Sequence, residues 1–161
     1  MPITGMNHAV LYVRDARRTQ RFYEEVLGFL TIIDHPDGAF VFMRAPASEN
    51  HHDIAFFSIG EQAQPSEAGR RTVGMYHLAW EVPTLVELES MRDRLASVGA
   101  LKGSSDHGAN KSLYAMDPDG LEFEVMWLVP AAHWGEAEHQ AIIERLDIAA
   151  ERRKFAALGL D

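Results

Sequence analysis

Short runs of the chain alternate apolar and polar residues with a period of two, and longer runs repeat with a helical period. The clearest alternation is Leu121–Trp127, where Leu121, Phe123, Val125 and Trp127 interleave with Glu122, Glu124 and Met126. It follows Asp117-Pro118-Asp119-Gly120, a tight turn in which proline presets φ and glycine tolerates a positive φ. Glu124 is therefore a carboxylate in the middle of a strand. A buried carboxylate has to be paired, hydrogen-bonded or bound to metal.

The same reading extends along the chain. Asn7–Val13 alternates as a strand, with His8, Val10 and Tyr12 on one face and Ala9, Leu11 and Val13 on the other. Residues 16–27 are helical, with Thr19, Phe22, Tyr23 and Val26 as the apolar stripe and Gly28 as the C-terminal cap. Strands are predicted at Phe29–Asp34, Ala39–Arg44 and His51–Gly60. Residues 61–72 are polar, carry Pro65 and Gly69, and read as a linker. A further strand covers Met75–Val82, with His77, Ala79 and Glu81 on one face. Thr84 caps a helix to Val98, striped by Leu85, Leu88, Met91, Leu95 and Val98 and ended by Gly99. Ala100–Lys102 is a short strand. Residues 106–127 add a loop, in which His107 lies, and two strands.

This is one β-α-β-β-β pattern written twice, over residues 3–60 and 73–130. His8 opens one repeat and His77 the other, and each leads into a helix ending at glycine. The predicted fold class is α+β: two tandem units forming a curved mixed sheet around a cleft, helices outside, in a domain spanning 1–130. Residues 131–161 break the repeat. Their periodic residues between Glu136 and Leu158 predict a helical extension of one or two amphipathic helices.

Length and composition narrow the picture. The chain has 161 residues, no cysteine, eight histidines and a net charge of -9. It has enough residues for one well-cored domain. The acidic balance argues against a nucleic-acid partner. No apolar run is long enough to span a membrane and no signal peptide is apparent, so a cytoplasmic location is expected. Without cysteine, any metal site must use nitrogen and oxygen ligands.

If the large apolar residues of each sheet pack under the helices, His8, His77 and Glu124 point into the cleft together. Two histidines and a carboxylate are the ligand set of non-haem Fe(II) oxygenases, and catalytic zinc uses such a set too. A single strand histidine is more often a hydrogen-bonded core residue than a ligand; matched positions in two repeats, joined by a mid-strand Glu, favour the ligand reading.

NHAVLYV, YHLAWEV and DPDGLEFEV within this repeat resemble the vicinal oxygen chelate superfamily of glyoxalases, bleomycin-resistance proteins and extradiol ring-cleaving dioxygenases. The resemblance covers residues 3 to about 130. His52, at the head of the fourth strand, resembles the acid-base histidine of the extradiol branch. Tyr114, ten residues before Glu124, resembles its substrate-contacting tyrosine. His107 stands seven residues before Tyr114, closer than the family's loop histidine stands to its tyrosine.

The resemblance implies a metal-dependent dioxygenase of aromatic-compound catabolism. Fe(II) or Mn(II) would be held by His8, His77 and Glu124, with His52 and Tyr114 catalytic. His107, Val10, Ile54, Phe56 and Met126 would contact a small aromatic, catechol-like substrate cleaved with O2. A homo-oligomer, a dimer or higher, is expected. Two other classes stay open: a glyoxalase-like isomerase or lyase using Zn(II) or Ni(II), and a metal-free small-molecule-binding resistance protein.

Overall fold

Two β-α-β-β-β runs follow one another in the computed structural model, which describes residues 2–160. The first comprises β1 (Ala9–Val13), α1 (Ala16–Phe22), β2 (Leu30–Asp34), β3 (Phe40–Arg44) and β4 (Ile54–Ser58). The second comprises β5 (Leu78–Glu81), α2 (Leu85–Ser97), β6 (Leu101–Asp106), β7 (Asn110–Met116) and β8 (Glu122–Leu128). The strands form two four-stranded mixed sheets of equivalent order, β1-β4-β3-β2 and β5-β8-β7-β6, giving the predicted α+β fold. The first and last strands of each run pair parallel, and the other neighbours antiparallel. The chain divides into two units: one holds the chain up to Ser66 with the turn Pro118–Gly120, the other Glu67–Asp117 and the chain from Leu121 onward.

In the first unit Asp15 caps α1 by accepting from the backbone N–H groups of Arg17 and Arg18. The helix widens into a π-type turn, Tyr23–Leu27, and ends at Gly28 with φ of 79°. Tyr23 carries the packing: its ring lies 5.2 Å from Phe29 and 4.8 Å from Phe56. Val41, Met43, Ile54 and Phe56 are wholly buried. Strand register puts Val10, Tyr12, Phe40, Phe42, Ala55 and Phe57 on the opposite face.

Two expectations are corrected here. Ile54 and Phe56 were expected to line the pocket beside His52, but they belong to the helix-covered core. The strand expected from His51 begins only at Ile54. Residues 51–53 are an irregular entry organised by Asp53, whose carboxylate accepts from Ala45 N (2.8 Å), Ser48 Oγ (2.7 Å) and Asn50 Nδ2 (2.7 Å). Strand alternation therefore does not reach back to His52.

In the second unit Thr84 caps α2: its Oγ1 accepts from Glu87 N and donates to Glu87 Oε2. α2 buries Leu85, Leu88 and Leu95. Leu113, Ala115, Phe123, Val125 and Trp127 are buried along β7 and β8. The C-terminal stretch is less helical than its periodicity predicts. It makes short turns at Ala131–His133 and Gly135–Glu138, is irregular over 139–147, and forms a helix, α3 (Ile148–Ala156). The irregular part is held by Glu144, which exchanges two backbone hydrogen bonds of 2.9 Å with Asp106. Phe155 of α3 seals Trp127 edge-on at 4.9 Å. Beneath it Lys111, 2% exposed, pairs with Asp106 and, at 3.0 Å, with Glu151. Among the described residues no helix is long and apolar enough to cross a membrane.

The buried ion pair and the Asp53 cluster both bear on stability. Lys111→Met leaves part-buried Asp106 without its cation and Glu151 with only the exposed Lys154 at 3.3 Å, and should cost about 3 kcal/mol by denaturant titration. At Asp53, burial alone would raise the carboxyl pKa. Donors from Ser48, Asn50 and the Ala45 backbone outweigh burial and hold it below the usual carboxylate range. A lowered folded-state pKa stabilises above the unfolded value of about 3.9, and that contribution is lost as pH falls through the folded value. Asp53→Ala should cost about 1–3 kcal/mol at neutral pH, and the gap from wild type should close in acid.

Candidate metal and substrate site

Glu124 sits at the middle of β8, an interior strand, with Ala79 of β5 and Tyr114 of β7 as its cross-strand neighbours. Alternation turns Phe123 and Val125 into the core and Glu124 to the other face, where it is nonetheless only 6% exposed. His77 immediately precedes β5. Its Nε2 lies 3.1 Å from Glu124 Oε2 and its Nδ1 3.5 Å from Glu122 Oε1. Asn110 Nδ2 donates to Glu124 Oε1 at 3.3 Å and to Ser112 Oγ at 2.6 Å. Met126 lies on the same face, half-buried.

Tyr114 completes this surface, its ring centroid 5.7 Å from that of His77. Its hydroxyl is 2.8 Å from His107 Nε2, and His107 Nδ1 is 2.7 Å from the carbonyl of Ile142. The short loop thus brings His107 to Tyr114. Burial pushes the Tyr114 phenol pKa up, and the charge of Glu124 adds to the shift. The phenol is therefore protonated at neutral pH.

The donor atoms on this face are of a kind that suits a divalent metal. An imidazole nitrogen and a carboxylate oxygen stand in contact, a pairing suited to first-row divalent ions. Beside them His77 Nδ1 and Glu122 Oε1 are buried and make no hydrogen bond. Orphaned buried polar atoms are costly, and a bound cation or ligand would relieve them. Among the described residues no three or more His, Asp or Glu side chains are grouped so as to hold a metal ion. The second unit contributes the His77–Glu124 pair.

His8 belongs to the first unit, exposed and immediately ahead of β1. Ala9 pairs with Ile54 as Leu78 pairs with Phe123, so His8 and His77 hold equivalent register positions. The same equivalence sets Ala55 where the second repeat has Glu124. His8 Nδ1 is 2.8 Å from Asn7 Oδ1. Its ring is 4.3 Å from that of His52, which in turn stacks on Phe42 at 4.8 Å and 13°. His52 therefore shares Phe42's sheet face through stacking, not through strand alternation. Desolvation, then the neighbouring His8 and His51, lowers the His52 pKa. His51 is not turned away as alternation predicts: its Nδ1 is 3.1 Å from His52 Nδ1. Val10 is on this face too, 53% exposed.

Several contributors escape the sequence reading: Asn110 on Glu124, Glu122 beside His77, Asn7 on His8 and Phe42 under His52. Asn110 had a usable signal, because it shares the parity of Ser112 and Tyr114.

The model of the Glyoxalase/Bleomycin resistance protein/Dioxygenase superfamily matches residues 5–125. A catechol-2,3-dioxygenase of Bacillus subtilis (strain 168) is 27% identical over 131 residues, 81% of this chain. The chain spans only 44% of that relative's length. Among solved structures, a glyoxylase/bleomycin resistance protein/dioxygenase domain from Frankia sp. EAN1pec has a TM-score of 0.65 at 22% identity, covering 84% of this chain and 99% of that one. A mutant of the fosfomycin resistance protein FosX of Listeria monocytogenes, complexed with Mn(II) and 1S,2S-dihydroxypropylphosphonic acid, has a TM-score of 0.60 at 21% identity, covering 80% and 95%. With three quarters of its length matched by the family model, and with the paired β-α-β-β-β units in place, the chain belongs to the glyoxalase/bleomycin resistance protein/dioxygenase superfamily.

Proposed function

We propose that this chain is a metal-dependent dioxygenase of the extradiol type, acting on a small catechol-like aromatic with O2. The observation that carries the reading is the buried Glu124 carboxylate in contact with His77, on the sheet face that also bears Tyr114. The proposed ligands are His77, Glu124 and His8, with Fe(II) or Mn(II) as the ion. His8 is supported by its register and by its Nδ1: an amide oxygen of Asn7 accepts there, which leaves Nε2 with a free lone pair. The likeness to a catechol-2,3-dioxygenase supports ring cleavage, and Mn(II) in the FosX complex supports the choice of ion. The absence of a carboxylate at Ala55 favours three protein ligands over the four of a glyoxalase-like site.

Bound there, the ion supplies Lewis-acid polarisation of substrate oxygens. The chain's own groups do the rest. Asn110 holds Glu124 in one orientation. Tyr114 offers a phenolic oxygen to a substrate hydroxyl. His52, its pKa lowered, is neutral at pH 7 and suited to take a substrate proton and return it. Val10 and Met126 offer apolar contact to an aromatic ring.

Metal analysis after anaerobic loading with Fe(II) is the first test. Wild type should bind stoichiometrically, and His77→Ala and Glu124→Ala should lose the ion with the fold kept. Asn110→Ala should weaken affinity about 10–100-fold. Full occupancy in Glu124→Ala overturns the assignment. Oxygen uptake with a panel of catechols is the second test; an isomerase or lyase would convert its substrate without consuming O2. His52→Ala should retain metal yet turn over about 10²–10⁴-fold more slowly. Wild-type kcat/KM should climb as pH rises through the lowered His52 pKa, and this limb should vanish in His52→Ala.

A further inference from the structure

The C-terminal stretch has no counterpart in the first repeat, yet it reaches the site face of the second unit. A carbonyl oxygen has lone pairs and no proton, so the 2.7 Å contact between Ile142 O and His107 Nδ1 requires hydrogen on Nδ1. A neutral imidazole carries a single N–H. With that proton on Nδ1, Nε2 is an acceptor, and the Tyr114 hydroxyl 2.8 Å away has to donate into it. The chain of bonds therefore has one direction, from Tyr114 O–H through His107 to the Ile142 carbonyl. The opposite tautomer would reverse it: Nε2–H would donate to the phenolic oxygen and release the phenolic proton toward the open face.

A second, independent observation is the fit of this stretch against the His107 loop. Gly108 has φ of +74°, and a Cβ built on it would lie 2.5 Å from Ala137 Cβ and 3.0 Å from Ile142 Cδ1. No side chain fits between the loop and the stretch. Two residues beyond Ile142, Glu144 is fixed to Asp106 by the reciprocal backbone bonds of 2.9 Å. The carbonyl is thus anchored on both sides.

We propose that residues 137–144 are a positioning strap for the substrate face: the Ile142 carbonyl selects the Nδ1–H tautomer of His107, which commits the Tyr114 proton to His107 and presents the phenolic oxygen to substrate as an acceptor. Ile142 and His107 are positioning residues in this scheme. The tautomer assignment stands on geometry alone; its consequence for substrate rests on the dioxygenase reading above. The matching ligand group is a hydroxyl that donates, as a catechol carries, in preference to its methyl ether.

The test uses the full-length, metal-free protein labelled with ¹⁵N in its histidine rings, the His107 signals being those absent from His107→Gln. Wild type should give the Nδ1–H tautomer for the neutral ring. Gly108→Ala wedges the loop from the strap, and Glu144→Pro removes the N–H that latches the strap to Asp106. Each should shift His107 toward the Nε2–H form; Glu144→Pro, at an exposed position, serves if Gly108→Ala fails to fold. An Nε2–H tautomer in wild type, or Nδ1–H persisting in the folded strap variants, overturns the proposal. Substrate binding supplies a separate readout. Glu144→Pro should retain metal while kcat/KM for a catechol falls about tenfold, the scale of one hydrogen bond. If the tautomer shifts as expected but no catechol is consumed by wild type, the strap stands and the dioxygenase reading fails.

Discussion

A carboxylate at the centre of an interior strand is expensive to bury, because a desolvated charge costs several kcal/mol unless partners replace its water. Glu124 imposes that constraint on the whole face around it. Asn110 meets one oxygen and His77 the other. The neighbouring tyrosine keeps its phenol proton, first because it is buried and then because a second anion beside Glu124 would be repelled. A surface that tolerates one buried negative charge in this way is predisposed to a cation, and His77 Nδ1 and Glu122 Oε1, 3.5 Å apart, are buried beside it without a hydrogen bond.

The duplication supplies matched scaffolds and unmatched chemistry. β1 beside β4 reproduces β5 beside β8, with a histidine ahead of each first strand. Where the second repeat has Glu124, the first has Ala55. In its place the first unit carries a stack of His52 on Phe42, bordered by His8 and His51. Small size at Ala55 leaves that sheet face to the rings, and partial desolvation of His52 follows from their packing.

The C-terminal stretch links stability to the site in the second unit. Phe155 and the Lys111 ion pairs anchor α3 to the sheet, while Ile142 touches His107 on the way. Asp106 joins both roles: its side chain pairs with Lys111 and its backbone with Glu144. A substitution that loosens α3 would therefore be felt at the loop carrying His107.

What the sequence determined by itself is what depends on near neighbours. The Thr84 cap, the glycine stops at Gly28 and Gly99, the two repeats, and the parity of Glu124 against Phe123 and Val125 all follow from backbone geometry within a few residues. The equivalent positions of His8 and His77 were legible for the same reason. Ile54 and Phe56 hold the positions that Phe123 and Val125 hold in the second repeat, and so lie in the core. Only the tertiary structure decided where β4 begins, because Ala45, Ser48 and Asn50 gather on Asp53 and end the alternation there. It also decided that His51 turns toward His52, that residues 139–147 are irregular where periodicity predicts helix, and that Ile142 meets His107. The last contact joins residues 35 positions apart. Periodicity is a property of local backbone geometry, whereas such a bond exists only once the packing of distant segments has closed around it.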